Sequence, residues 1–232
     1  MGTIPLRALP RVFVPGADPS DVIELPSEEV DKLRKVLRLS AGAQIAVLPN
    51  DGTVVRCEFT GRTAMPVSIE TPDVEAPLRL TLAQSLPKGD KLDEIVRAGT
   101  ELGVAGFILF QSERTIVRWD AKKVADRIAR MQTIAREAAE VSFRTRLPVF
   151  SYADGLEAVL RENPTAIVLS EAEGESHPLR RLGDEMTVVV GPEGGWAPRE
   201  LKLIGDRGVT LGPRVLRVDH AGPAAAALLL LS

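Results

Sequence analysis

A single cysteine, two histidines and 4% aromatic residues are what this 232-residue chain has least of. One cysteine, Cys57, excludes an intrachain disulfide framework and a cysteine metal cluster. It falls in an apolar run from Val54 to Phe59, where it reads as a small buried side chain. The histidines, His177 and His220, lack metal-ligand spacing, so no metal is expected. With so few rings the core must come from Val, Leu, Ile and Ala, which a hydrophobic share of 44% allows. No apolar run approaches the ~20 residues of a membrane-spanning helix, and no membrane partner is expected. The apolar tail 224–231 reads instead as a buried helix with Pro223 in its first turn. No basic segment joined to an apolar core opens the chain, so no signal peptide and a cytoplasmic location are expected. A net charge of −3 and a pI near 5.6 exclude a uniformly basic nucleic-acid binder. Arginine and lysine do gather locally, at Lys32, Arg34, Lys35 and Arg38, at Arg114 and Arg118, and at Arg144 and Arg146. Taken singly, each cluster is equally a solvated face.

The chain divides by pattern. Residues 1–72 read as a small β-rich domain. Arg11 to Val14 is a short strand, and Ser27 caps a helix over Glu28 to Leu37 with Val30, Leu33, Val36 and Leu37 on one face. Two further strands, Ile45 to Leu48 and Val54 to Phe59, flank a turn at Asn50-Asp51-Gly52. A proline-bounded stretch, Thr71 to Pro77, is the linker. Residues 77–232 alternate strands with helices, the signature of an α/β domain with a parallel sheet. Helices are expected over Lys91 to Leu102, closed by Gly103, over Ala121 to about Val141, and over Pro198 to Ile204. Strands are expected at Leu80 to Ala83, Phe107 to Phe110, Ala166 to Leu169, Thr187 to Val190 and Val209 to Leu211.

Two glycine loops in the last fifth of the chain carry the chemistry. One is Val190-Gly191-Pro192-Glu193-Gly194-Gly195-Trp196, and the other is Leu211-Gly212-Pro213-Arg214-Val215-Leu216-Arg217. Glycine after a buried strand lets main-chain N–H and C=O groups approach a ligand closely. A phosphate-binding P-loop would need Gly-Lys-Ser/Thr at its end, but Trp196 and Ala197 follow Gly195. The dinucleotide fingerprint is absent as well, since the loop comes late and lacks the G-x-G-x-x-G spacing. Alone, the first loop is as readily a structural turn as a binding loop. Paired with the second, it points to a pocket lined by main chain and suited to a nucleoside-like cofactor.

Together these loops resemble the C-terminal signature of the knotted SPOUT methyltransferases, and within them the RsmE family. Leu86-Pro87-Lys88-Gly89-Asp90-Lys91, Thr100-Glu101-Leu102-Gly103-Val104, Ser112-Glu113-Arg114-Thr115 and Glu137-Ala138-Ala139-Glu140 match as well. So do Arg144-Thr145-Arg146-Leu147-Pro148 and the early Val36-Leu37-Arg38-Leu39. The resemblance implies a PUA-like β-barrel for RNA, then an α/β domain with a C-terminal trefoil knot. It implies S-adenosylmethionine as cofactor, a homodimer, and methylation of N3 of a uridine in the 16S rRNA of the small ribosomal subunit. Leu169, Ser170 and Glu171, with Gly191, Pro192, Glu193, Gly194 and Gly195, are expected at the cofactor, as are Leu211, Gly212, Arg214, Val215 and Leu216. Three places depart from the family pattern: Val218-Asp219-His220 where Thr-Glu-Thr is usual, Val141 where Gln is usual, and Phe143 where Gly is usual.

The imide N3–H of uracil must leave before the nitrogen can attack. A carboxylate and a guanidinium can supply that chemistry. Asp219 is expected as base or orienting group, with Arg217 or Arg11 stabilising the anion. A salt bridge for Arg217 and a helix cap for Asp219 are the structural alternatives. Arg11, Arg34, Arg38, Arg144 and Arg146 are expected on RNA. The departures leave two other readings open: a non-catalytic RNA-binding or ribosome-assembly protein, and a methyltransferase acting on another RNA.

Overall fold

Alternation of buried side chains on one strand shows how the first unit is built. In the computed structural model, which describes residues 4–170 and 177–231, the chain forms two compact units. One comprises 1–75 with 139–147; the other comprises 76–138 and 148–232. The first unit contains β1 (Arg11–Phe13), β2 (Ile23–Glu24), α1 (Ser27–Asp31), β3 (Ala43–Leu48), β4 (Val54–Phe59) and β5 (Thr63–Glu70). These strands make a five-stranded sheet in the order β1-β3-β4-β5-β2, with β1 parallel to β3 and the other pairs antiparallel. On β3, Ile45 and Val47 join Cys57, Phe59 and Leu33, whereas Ala46 and Leu48 join Phe13, Leu9 and Ala139. A strand buried on both faces needs cover on both. The segment 139–147 supplies part of that cover.

Charge fixes the same segment. The Glu75 carboxylate accepts hydrogen bonds from Arg144 Nε (3.1 Å) and Nη2 (2.8 Å), from Thr145 N (2.7 Å) and Oγ1 (3.2 Å), and from Arg146 N (3.1 Å). Glu140, buried, accepts from Phe13 N (3.3 Å) and pairs with Lys32, which also reaches Glu29 at 3.2 Å. Burial pushes the Glu140 carboxyl above the usual range; Lys32 opposes this without cancelling it.

Helix α1 departs from its sequence pattern. Pro26, not Ser27, occupies the N-cap position, and no side chain caps the helix. After Asp31 the chain winds as a π-helix over Lys32–Val36. The wider turn carries Val36 and Leu37 off the apolar face, leaving Val36 72% exposed while Leu33 stays buried.

The second unit contains β6 (Arg79–Ser85), α2 (Lys91–Leu102), β7 (Gly106–Phe110), α3 (Ala121–Ser142, whose last turn belongs to the first unit), β8 (Val149–Ala153) and α4 (Gly155–Glu162). It continues with β9 (Ile167–Leu169), β10 (His177–Pro178), β11 (Glu185–Val190), α5 (Pro198–Ile204), β12 (Gly208–Thr210) and α6 (Val218–Leu230). Its seven strands are all parallel, in the order β10-β12-β9-β11-β6-β7-β8. Leu80, Leu82 and Val188 pack with residues of α2, α3 and α6, while Ala83 and Val189 pack with residues of α4 and α5. Helices thus cover both faces, which explains why the central strands read as unbroken apolar runs. Helix α6 starts at Val218, so Pro223 lies inside it and not in its first turn as the sequence suggested. Among the described residues no helix is long and apolar enough to cross a membrane.

Burial raises the pKa of Glu75, but the Arg144 side chain and the Thr145 and Arg146 amides outweigh it and hold the group below the ordinary glutamate value. A carboxylate depressed in the folded state stabilises above its unfolded pKa, and that contribution is lost as pH falls through the folded value. Glu75→Gln is expected to cost roughly 2–4 kcal/mol at neutral pH. Urea unfolding of both proteins at neutral pH and in acid should show the gap closing in acid; an equal gap at both would refute the assignment.

Candidate functional site

In a parallel sheet covered on both faces, ligands bind where the strands end, outside their carboxyl termini. Here the ends of β9, β11 and β12 lead into Ser170, the Gly191 loop and the Leu211 loop, which together line a cavity of about 570 Å³. Such a volume falls in the usual range of small-molecule sites, roughly 300–1,000 Å³.

Trp196 organises the first loop. Its indole Nε1 donates to the Leu169 carbonyl at 2.9 Å, and its ring stacks on Phe110 with centroids 6.4 Å apart. A Cβ on Gly191 would lie 2.9 Å from the indole carbon Cε2, so Trp196 by itself requires glycine there. Gly195 turns the chain at φ +67° and donates to the Pro192 carbonyl (3.0 Å). The loop is braced from outside as well. Arg114 Nη1 donates to the Gly194 carbonyl (2.9 Å), and buried Glu200 accepts from Ala197 N (2.9 Å) and Glu113 N (3.0 Å). In the second loop, the Thr210 hydroxyl bonds the Gly212 N–H (3.2 Å) and carbonyl (2.9 Å), while Arg214, Val215 and Arg217 stand exposed.

Two ion pairs mark the rim. Lys91 Nζ lies 2.6 Å from Glu193, which also accepts from Lys88 N (3.2 Å). Burial raises the Glu193 pKa, but Lys91 and the backbone donors hold the group below its ordinary value. Arg217, its side chain 70% exposed, donates through Nε to Asp219 (3.3 Å), and His220 lies 3.8 Å from the same carboxylate. Burial also raises Asp219, yet a backbone hydrogen bond and Arg217 carry it below the usual carboxylate range. The N-cap position of α6 falls to Arg217, so Asp219 is a first-turn residue and not the cap. An anion so placed near a helix N-terminus stays ionised.

Of the expected cofactor residues, Leu169, Ser170, Gly191, Pro192, Glu193, Gly195, Leu211, Arg214, Val215 and Leu216 line the cavity, as does Arg217. Gly194 and Gly212 serve the turns without lining it, and Glu171 lies outside the described residues. Sequence reasoning missed Lys91, Arg114 and Leu201 as lining residues. Lys91 ends the Leu86-Pro87-Lys88-Gly89-Asp90-Lys91 motif and Arg114 lies in Ser112-Glu113-Arg114-Thr115, whereas nothing local distinguishes Leu201. Arg11, Arg34, Arg38, Arg144 and Arg146 belong to the first unit. There Arg34, Arg38 and Arg146 are exposed and Arg11 is half-buried. Arg144 is a correction: it is buried against Glu75, and a phosphate would reach it only by breaking that pair.

The RNA methyltransferase domain family matches residues 74–230. The chain is 35% identical to a ribosomal RNA small subunit methyltransferase E from Bacillus subtilis, over 85% of each chain. It is 32% identical to one from Synechocystis, over 90% of this chain and 74% of that one. Its fold is similar to that of a ribosomal RNA small subunit methyltransferase E from Neisseria gonorrhoeae solved with S-adenosyl methionine bound: TM-score 0.85, 30% identity, 95% of this chain and 96% of the other covered.

The packing at Gly191 makes a direct prediction. Gly191→Ala is expected to destabilise the protein by about 1–3 kcal/mol by displacing the indole. Fluorescence of Trp196, read in a background with Trp119 replaced by Phe, should shift. An unchanged spectrum and melting temperature would contradict this account of the glycine.

Proposed function

The chain belongs to the ribosomal RNA small subunit methyltransferase E family, and from that premise we propose that it methylates N3 of a uridine in 16S rRNA. It is an RNA methyltransferase that uses S-adenosylmethionine as methyl donor. The observation carrying this reading is the single cavity wall shared by the two glycine loops, with Arg217 and Asp219 at its edge. Apolar side chains (Leu169, Trp196, Leu211, Leu216) and main chain at Gly191 and Gly195 suit a flat heterocycle held by peptide groups. When bound, the cofactor supplies an electrophilic methyl group.

The chain's own residues then have to deal with the imide proton. Asp219, held below the ordinary carboxylate range, is a weak base. Its better role is to hold Arg217 in place through the 3.3 Å contact. The Arg217 guanidinium then stabilises negative charge shared by O2 and O4 as N3 loses its proton to solvent water. Arg11, Arg34, Arg38 and Arg146 are assigned to RNA backbone, and the target base must leave its stack to be reached. The uridine target rests on the RsmE-like motifs. A trefoil knot is supported by the path of the chain from β11 past β9 to β12 and back through α6 onto α2, β6 and β11. A PUA-like barrel is our reading of the five-stranded unit. Exposed Leu228 and Leu231 at the end of α6 support a homodimer, and the ribosomal substrate supports a cytoplasmic location.

Arg217→Ala is expected to lower kcat by roughly 10²–10³-fold, with S-adenosylmethionine affinity little changed. Asp219→Asn is expected to lower kcat without removing the acidic limb of the pH–rate profile. Calorimetry with S-adenosylmethionine, methyl transfer to small ribosomal subunits and mass spectrometry of the product nucleoside test the reading together. Binding without transfer, or a methyl group elsewhere than uridine N3, would overturn it.

A further inference from the structure

Helix α3 ends in a manner that normally calls for glycine. Arg144 N donates to the Ala139 carbonyl at 2.9 Å, the long bond of a Schellman cap, and the residue inside that turn is Phe143 at φ +62°. Left-handed backbone is disfavoured for a bulky side chain, so packing has to hold this one. Yet Phe143, 5% exposed, joins neither apolar cluster of the first unit among the described residues. Two arginines meet it instead. The guanidinium carbon of Arg7 lies 5.3 Å from the ring centre and that of Arg11 5.2 Å. Arg11 Nη1 also donates to the Arg7 carbonyl at 3.1 Å.

Neither arginine has a carboxylate within ion-pair reach among the described residues. The acid that acts on Arg11 through space, Glu140, is engaged by Lys32. Burial and then the charge of Arg7 work against the protonated Arg11 guanidinium, with Glu140 opposing them. Two like charges gathered at one aromatic ring, neither ion-paired to a carboxylate among the described residues, make a site for an external anion. Guanidinium pairs match phosphate oxygens in a forked geometry that ammonium groups do not.

Resting on the RNA methyltransferase reading, we propose that Phe143 is a positioning residue that holds Arg7 and Arg11 as a clamp for a backbone phosphate of the substrate RNA. The ring's quadrupole offsets part of the repulsion between the two cations and fixes where their donors point. Phosphate contacts carry no base information, so the clamp sets register and affinity rather than sequence.

The test uses the full-length protein and a fluorescein-labelled fragment of small-subunit ribosomal RNA, read by anisotropy across a salt series. Phe143→Gly suits the backbone of the turn and is expected to fold. Phe143→Leu keeps an apolar side chain but removes the ring. Both, and Arg7→Ala, should weaken RNA binding roughly five- to ten-fold and lower the salt slope by about one. Loss on an unrelated RNA of equal length should match, and Phe143→Gly combined with Arg7→Ala should lose little more than either alone. S-adenosylmethionine affinity should not move. Variants at Phe143 that bind RNA with wild-type affinity and slope would overturn the clamp, whatever their melting temperature. Failure of the wild-type protein itself to bind ribosomal RNA would instead strike the methyltransferase reading beneath it.

Discussion

The hydrogen bond from the Trp196 indole to the Leu169 carbonyl ties the ends of two neighbouring strands, β11 and β9, at the floor of the cavity. Much else in the site follows from it. Gly191 must be glycine because the indole fills the space a Cβ would take. Gly195 must turn in the left-handed region so that the loop returns in time to start α5 at Pro198. Phe110 on β7 stacks on the indole from within the core, so the ring is held on one side by the sheet. A rotameric side chain locked between a carbonyl and a stacked ring makes the peptide groups around it a fixed surface, which is what recognition by main chain requires.

Carboxylates do the corresponding work for irregular segments elsewhere. Glu75 gathers the backbone of Thr145 and Arg146, Glu200 joins Ala197 to Glu113, and Glu140 meets Phe13. Glu75 and Glu200 each accept two main-chain N–H groups, so the cost of burial is spread over several bonds, whereas Glu140 accepts one and its carboxyl stays raised. At the rim the logic differs. Glu193 faces Lys91, Asp219 faces Arg217 and His220, and both acids stay partly open to solvent, so their partners can be recruited by an incoming charge at modest cost.

What the sequence made legible depended on punctuation. Helices α2 and α5 were readable to their ends because Gly103 and Pro198 mark those ends by backbone chemistry alone. The glycine loops were readable as a pair, and ten of the thirteen residues singled out beside the cofactor line the cavity. Strand β8 and helix α4 escaped notice because Val149–Ala153 is half-exposed and short, and Gly155 opens the helix without a capping side chain. The π-turn at Lys32–Val36 was invisible because its apolar spacing fits an ordinary helix. Pro223 misled for a related reason. A proline is cheapest in the first turn, but α6 is held along its length by α2 and the sheet, and that packing outweighs one missing hydrogen bond.

Net charge was the least informative quantity of all. A total of −3 says nothing of where cations are spent, because pairing is invisible to composition. Arg56 and Arg144 are buried against Glu70 and Glu75, and their charges never reach solvent as free donors. Arg7, Arg34 and Arg38 carry the same charge outward. Sequence clustering cannot separate buried from exposed arginines, since Arg144 and Arg146 stand two residues apart and only the first is buried. What separates them is burial: Arg144 is enclosed against Glu75, whereas the exposed Arg146 guanidinium donates to the Asp51 carbonyl. A protein of net negative charge can therefore keep exposed arginines for a polyanion, because net charge does not record which cations are buried or paired.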